Sequence, residues 1–488
     1  MVAGLFIGLD VGTQGTKGLC IDATSRRVVA RASRGYGLIG GLAPGAAEQD
    51  PRTWMQAVRE VVREIAKRID PGRLAGIGVS GQQHGLVVLD EHAEVVRPAK
   101  LWCDTETAPE AAELTALLGR AVPAGFTASK LLWLARHEPE SFARTRHVML
   151  PHDFVNLRLT GAFTTEAGDA SGTGWFDTLR RRWDPAALAA IDARVAEMLP
   201  SLLEAGQPAG HLSSTGAAAI GLPPACAGVP VASGGGDNML SAIGAGATRA
   251  GVAVLSLGTS ATVFCYSDEP LVDPGGLIAP FCDSTGAWLP LLCVMNATGV
   301  CAEVSRAFEC DLETLTCEAA EVEPGAGGLL LLPYLQGERV PDLPRATATL
   351  TGIGPGMLRR GRVFRAALEG VSLNLALGLE RMRGLGLAVE TLRLTGGGAV
   401  NPLWRQILAD ALEVPVQLLI ETESAALGAA LQAVWTAGRL AGEDRGADAV
   451  ALDWVRLDPV VIEPDASRSR IYREARSRLE RTTRRLYS

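Results

Sequence analysis

Apolar residues appear early and in short blocks. "LFIGLDV" (Leu5–Val11) is broken by a Gly-Thr-Gln-Gly turn and resumes as "KGLCID" (Lys17–Asp22). Two β-prone runs joined by a glycine turn predict a pair of antiparallel strands, with Asp10 at the end of the first. About half a chain later the pattern returns as "VAVLSLGTSATVFCY" (Val252–Tyr266), again strand, Gly-Thr-Ser turn, strand.

A second kind of glycine segment joins strand to helix. "VPVASGGGDNMLSAIGAGA" reads as a strand over Val229–Ala232, a turn at Gly234–Gly236 and a helix that begins at Asp237 and Asn238. "LRLTGGGAVNPLWRQILADAL" reads as a strand, the turn Gly396-Gly397-Gly398, and a helix capped by Asn401 with Pro402 in its first turn. In "IGVSGQQHGLVVLD" a polar turn, Gln82-Gln83-His84, separates two apolar runs. The C-terminal "SRSRIYREARSRLERTTRRLYS" spaces Ile471, Ala475 and Leu479 four apart, which predicts an amphipathic helix with a solvated basic face.

The repeated strand-turn-strand unit suggests two like domains that face each other. A length of 488 residues also asks for two domains or more. The boundary is expected near Ala247 to Gly251, giving units 1–248 and 249–488. With 47% apolar and 20% charged residues the composition is globular, and a formal charge of −8 argues against a general nucleic-acid binder. The nine cysteines include no C-x-x-C, so neither a zinc site nor a disulfide framework is expected. No apolar stretch approaches a membrane span and the opening lacks a basic n-region, so the reading is a cytoplasmic protein with no membrane partner.

The turns carry the candidate chemistry. Glycines and hydroxyls at Gly12, Thr13 and Gln14 make a concavity suited to an anion, although the spacing fits neither the P-loop nor the dinucleotide fingerprint. A carboxylate at Asp10 beside a phosphate asks for a cation between them, and Mg²⁺ suits that place. Gly258-Thr259-Ser260 would hold phosphate from the other half, and Lys17 is a candidate helper. Gly397 and Gly398, followed by the helix capped at Asn401, suit the close approach of a nucleotide. Asp237, at a helix start after three glycines, suits a base that takes a proton from a substrate hydroxyl, and the amides and imidazole of Gln83 and His84 suit a polyhydroxylated ligand.

These segments, with "EQDPRTW", "LLWLARHEPE", "LPHDFVNLRLTG", "DASGTGWFD" and "LLPYLQGER", together resemble the FGGY carbohydrate kinases, in order and over nearly the whole chain. Within that family the likeness is closest to the D-xylulose kinases. The resemblance implies an α/β fold of two ribonuclease H-like domains, of the actin and hexokinase ATPase type, flanking a central cleft. It further implies ATP and Mg²⁺ as cofactors, with Asp10 by the metal and Gly12, Thr13, Gln14, Lys17, Gly258, Thr259, Ser260, Gly397, Gly398 and Asn401 by the nucleotide. Asp237 would be the catalytic base, and Gln83, His84, Asp237 and Asn238 would meet the sugar. The expected partners are a small sugar and ATP, with a homodimer left open. Two alternatives stay open: a kinase of the same family for ribulose, gluconate or a tetritol, and a non-metabolic actin-like ATPase.

Overall fold

A computed structural model describes residues 2–487. Its first sheet starts as a meander of β1 (Leu5–Val11), β2 (Gly15–Asp22) and β3 (Arg27–Gly35). Helix α1 (Pro51–Ala66) follows, capped by Asp50, and its Trp54, Val58, Val61, Val62 and Ile65 are buried. The chain then returns as β4 (Leu74–Gly81), parallel to β1. After α2 (Thr127–His137) and α3 (Pro151–Thr160) come β5 (Pro208–His211) and β6 (Pro230–Ala232), which complete the order β5-β6-β4-β1-β2-β3. Gly235–Gly236 adds a short pairing to β4, and α4 (Asp237–Gly244) begins at the next residue.

The second sheet follows the same plan. It comprises β7 (Gly251–Leu257), β8 (Ala261–Cys265) and β9 (Leu291–Val294), then, after α5 (Thr298–Ala307) and α6 (Arg360–Gly384), β10 (Val389–Thr395). Helix α7 (Pro402–Leu412) leads to β11 (Val416–Leu418), giving the order β9-β8-β7-β10-β11. In both halves the first strand pairs antiparallel with the second and parallel with the fourth. Even an irregularity repeats, since the parallel register slips between Leu5 and Phe6 and again between Gly251 and Val252. The halves are two copies of a ribonuclease H-like sheet, as the repeated strand-turn-strand pattern leads one to expect.

The halves are joined by more than a linker. Helix α8 (Ser424–Leu440) comes from the second half yet lies on the first sheet: a Cβ on Gly8 of β1 would stand 1.9 Å from the Ala426 carbonyl oxygen, and one on Gly78 of β4 1.9 Å from that of Ala429. It also crosses α4 in backbone contact, with a Cβ on Gly428 reaching within 1.7 Å of the Leu240 oxygen. Side-chain-free positions are what allow helix and strand backbones so close. Phe6 and Leu19 of the first sheet, Val254 and Phe264 of the second, and Leu240 and Leu427 of these two helices form one apolar cluster.

Helix α9 (Ala466–Tyr487) is present, but its buried stripe differs from the expected one. Ser469, Tyr472, Leu479 and Thr483 are buried, while Ile471 is 36% exposed. Polar chemistry sets that rotation: Arg365 donates to the Tyr472 hydroxyl at 2.9 Å, and that hydroxyl donates to Glu369 at 3.0 Å. All nine cysteines are free thiols. No helix among the described residues is long and apolar enough to cross a membrane.

Candidate active site

Asp10 sits on β1 opposite Ser80 of β4, whose hydroxyl donates to Asp10 Oδ1 at 2.9 Å. Burial pushes the Asp10 carboxyl up to about 6, against the Ser80 bond and the charge of Lys17. Gly235 and Gly236 pair with Ser80 and Gly81, so the next residue, Asp237, is delivered beside Asp10. Its carboxyl is pushed up to about 8, first by burial and then by the negative charges of Asp10 and Asp169. Two carboxylic groups thus share one poorly solvated space.

Asn238 knits this region together. Its Nδ2 donates to Gln83 Oε1 at 2.7 Å and to Asp237 Oδ1 at 3.1 Å, and its Oδ1 accepts from Thr262 of β8 at 3.1 Å. His84 follows with φ of +66°, its ring packed on Phe126 and Phe281 at 5.1 and 5.9 Å between centroids. Burial, then the charges of Lys130 and Arg339, hold the imidazole well below its ordinary pKa, so it is neutral near pH 7. Its Nδ1 has no hydrogen-bond partner among the described residues and packs against Gly172, where a Cβ would stand 2.0 Å away.

The two hydroxyl turns differ in readiness. In the first, Gly12 N donates to Gly15 O at 3.0 Å, Tyr36 Oη to Gly12 O at 2.8 Å, and Tyr36 N to Gln14 O at 3.2 Å. The Thr13 hydroxyl is engaged twice, donating to Gln82 at 2.9 Å and accepting from Trp102 Nε1 at 3.0 Å. In the second, Gly258 N donates to Ser260 O at 2.9 Å and the turn docks on the start of α5 through Ala297 N and Thr298 N. Thr259 is exposed there. The third glycine turn rests on the second, since a Cβ on Gly396 would come 2.7 Å from the Leu257 oxygen.

Several expected nucleotide residues prove to have local duties. Gly397 faces open space, but Gly398 packs against Leu257 and Thr298, so its missing side chain serves packing. Asn401 caps α7 by accepting from Trp404 N at 3.1 Å and donates to Thr316 at 2.9 Å. Lys17 lies across from Asp10 in the β1–β2 register and pairs with Glu423 at 2.7 Å, its side chain 52% exposed. It is therefore held by a carboxylate of the second half and, among the described residues, its side chain makes no bond to the first glycine turn.

Sequence reasoning missed a buried ionic cluster behind Asp237. His152 lies between two carboxylates, with Nδ1 2.7 Å from Asp169 and Nε2 2.9 Å from Asp153, all three buried. Glu166 accepts from the Gly168 and Asp169 backbone N–H groups. The signal was present in "LPHDFVN" and "TTEAGDASGTG", where His152, Asp153, Glu166 and Asp169 fall among apolar and small residues. Lys130 was missed too; buried in α2, its Nζ donates to the carbonyls of Gly125 and Phe126 at 2.6 and 2.9 Å. Burial draws this amine down to about 7.

The chain matches the N-terminal domain of the FGGY family of carbohydrate kinases over residues 5–244 and its C-terminal domain over 253–437. It is 41% identical to a xylulose kinase of Haemophilus influenzae over 89% of this chain and 91% of that one. Against a xylulose kinase of Escherichia coli the identity is 35%, covering 83% of this chain and 84% of that one. The fold is similar to the crystal structure of xylulose kinase from Rhodospirillum rubrum, with a TM-score of 0.88, 29% identity and 99% of each chain covered. Two repeated sheets and these matches give one conclusion: the chain belongs to the FGGY family of carbohydrate kinases.

Proposed function

We propose that this chain transfers the γ-phosphoryl group of ATP to the O5 hydroxyl of D-xylulose, giving D-xylulose 5-phosphate and ADP. The observation that carries the reading is Asp237, a carboxyl raised to about 8, fixed between Asp10 and the Asn238–Gln83 pair. Xylulose kinases at 35–41% identity supply the choice of sugar. In this reading residues 1–248 hold the sugar and 249–488 the nucleotide, in a cytoplasmic enzyme.

Asp237 takes the proton from the attacking hydroxyl. A base pushed towards neutral pH matches that task better than an ordinary carboxylate, which would be too weak an acceptor. Asn238 and Gln83 orient the sugar, and the neutral His84 offers its imidazole to a hydroxyl. The second turn, with Thr259 exposed, supports the phosphates from the opposite half, while the Gly397 position leaves space for the nucleoside. Phosphoryl transfer asks mainly for such alignment and for neutral charge around the transferred group.

Mg²⁺ fits the residues present. Asp10 and Asp237 are poorly solvated carboxyls, the charge of Asp10 helping to raise Asp237, and such a pair gains from a hard cation with oxygen ligands. Asp10 would hold it, and when bound it would supply charge neutralisation for the phosphates.

The test is sugar-dependent ADP release with Mg·ATP across D-xylulose, L-xylulose, D- and L-ribulose, gluconate, glycerol and erythritol. D-xylulose is expected to give the highest kcat/KM. Preference for another sugar would move the specificity within the family, and slow sugar-independent hydrolysis alone would overturn the kinase reading.

A further inference from the structure

Arg339 is the second of the two cations whose charge holds His84 neutral. It lies in "LLPYLQGER" of the second half, is half-buried, and makes no ion pair among the described residues. Its backbone N–H donates to Glu338, but among the described residues the one hydrogen-bond partner of its guanidinium is a thiol, Cys293 Sγ at 3.9 Å from Nη1. A half-buried guanidinium with five donors and one weak protein acceptor keeps donors available to a ligand.

The surroundings say what it faces. Cys293 pairs across β8 and β9 with Thr262, the residue that bonds Asn238. On the other side, Nη2 stands 3.5 Å from where a Cβ on Gly125 would sit, beside the Trp102 carbonyl. Gly125 precedes Phe126, whose ring packs on His84. The path Asn238, Thr262, Cys293, Arg339, Gly125, Phe126, His84 therefore runs around the same space, and Arg339 is the cation that the second half contributes to it. Gly125 keeps that approach open, since a side chain there would meet both the guanidinium and the Trp102 oxygen at 2.9 Å.

We infer that Arg339 is a sugar-binding residue contributed by the nucleotide half, donating to oxygen atoms of the bound sugar opposite Gln83 and His84. This deepens the sugar-kinase reading and rests on it. Residues of both halves then touch the sugar, so its binding favours the closed cleft through contacts made only when the halves approach. A charged donor lost from a desolvated hydroxyl costs ~10-fold or more in affinity.

The experiment measures D-xylulose binding by tryptophan fluorescence without nucleotide, and KM for D-xylulose and for ATP, in wild type, Arg339→Met and Arg339→Lys. Expected for Arg339→Met is a rise of ~10-fold or more in sugar Kd and KM with KM for ATP within ~2-fold, and a smaller rise for Arg339→Lys. Unchanged sugar affinity overturns the inference, and so does equal loss of sugar and ATP affinity, which marks a structural role. Should Arg339→Met fail to fold, phenylglyoxal labelling of wild type keeps the test: D-xylulose alone is expected to protect Arg339, and undiminished labelling overturns it. A wild type that phosphorylates no D-xylulose fails the functional reading instead, so the two failures are distinguishable.

Discussion

Asn238 Nδ2 donates to Gln83 Oε1 across 2.7 Å, and with the bond from Gln83 Nε2 to Met239 Sδ at 3.3 Å it joins the helix that carries Asp237 to the turn that carries His84. Thr262 holds the other end of the same amide from the second sheet, so a single side chain spans three segments of the site.

Cutting that bond on the Gln83 side leaves Asn238 its contact with Asp237. Gln83→Leu removes this neutral hydrogen bond and the weaker one to Met239 Sδ; a neutral bond is worth about 1 kcal/mol, so KM for D-xylulose should rise ~5-fold or more while KM for ATP stays put. Steady-state kinetics with each substrate varied in turn reads the split. Equal movement of both constants would show that Gln83 supports the fold of the cleft and not the sugar.

Asp237→Asn keeps the size of the side chain and removes its basicity. Loss of a positioned base costs ~10²–10⁴ in rate, so kcat should fall by that factor with binding of both substrates largely kept. Single-turnover phosphorylation and calorimetric binding of ADP separate the two effects. Near-normal turnover in this variant would falsify the assignment of the base.

How much of this site could be read from the chain depends on how local each part is. The β1–β2 and β7–β8 pairs and the α7 cap were legible because apolar runs abut glycine turns and cap residues within a dozen positions. The local settings of Asp10 near a strand end and Asp237 at a helix start were legible for the same reason. The His152–Asp169 cluster and Arg339 were not, because their meaning lies in partners that only the folded chain brings near. Helix α9 shows the limit on a periodic pattern: four-residue spacing nominated Ile471, but bonds from Tyr472 to Arg365 and Glu369 rotate the buried face away from it. Lys17 and Asn401 had the right residue types in the right places, yet an ion pair and a helix cap already use their side chains.

The contact of α8 with α4 gives a packing prediction. A Cβ on Gly428 would lie 1.7 Å from the Leu240 carbonyl oxygen, which is backbone and cannot swing aside. Gly428→Ala should destabilise by ~1–3 kcal/mol or more, because the helices must separate. Gly384 near the end of α6 is the control, since a Cβ there meets nothing within 4 Å; Gly384→Ala should be neutral or stabilising by up to ~1 kcal/mol. Thermal melts of the two variants should move in different directions. A Gly428→Ala melt that matches wild type would mean that the two helices are not packed this closely.

The raised carboxyls give the pH dependence. Burial is the first cause for Asp10, held at about 6, for Glu166, at about 7, and for Asp237, at about 8. Each is protonated in the fold at pH values where the unfolded chain has ionised it. Each therefore stabilises fully below its unfolded pKa, and that contribution is lost as pH rises through the folded value. Ligand-free protein should accordingly lose thermal stability as pH climbs from about 4 to about 8, and Asp237→Asn should flatten the last part of that decline. Catalysis runs the other way, because the base must be ionised: kcat/KM for D-xylulose should rise with pH over the upper part of the same range, and the residual rate of Asp237→Asn should not. Melting curves and kinetics across one buffer series measure both. If stability and kcat/KM were both flat above pH 6, Asp237 would titrate like an ordinary surface carboxylate and the shared, poorly solvated space around Asp10 and Asp237 would not exist.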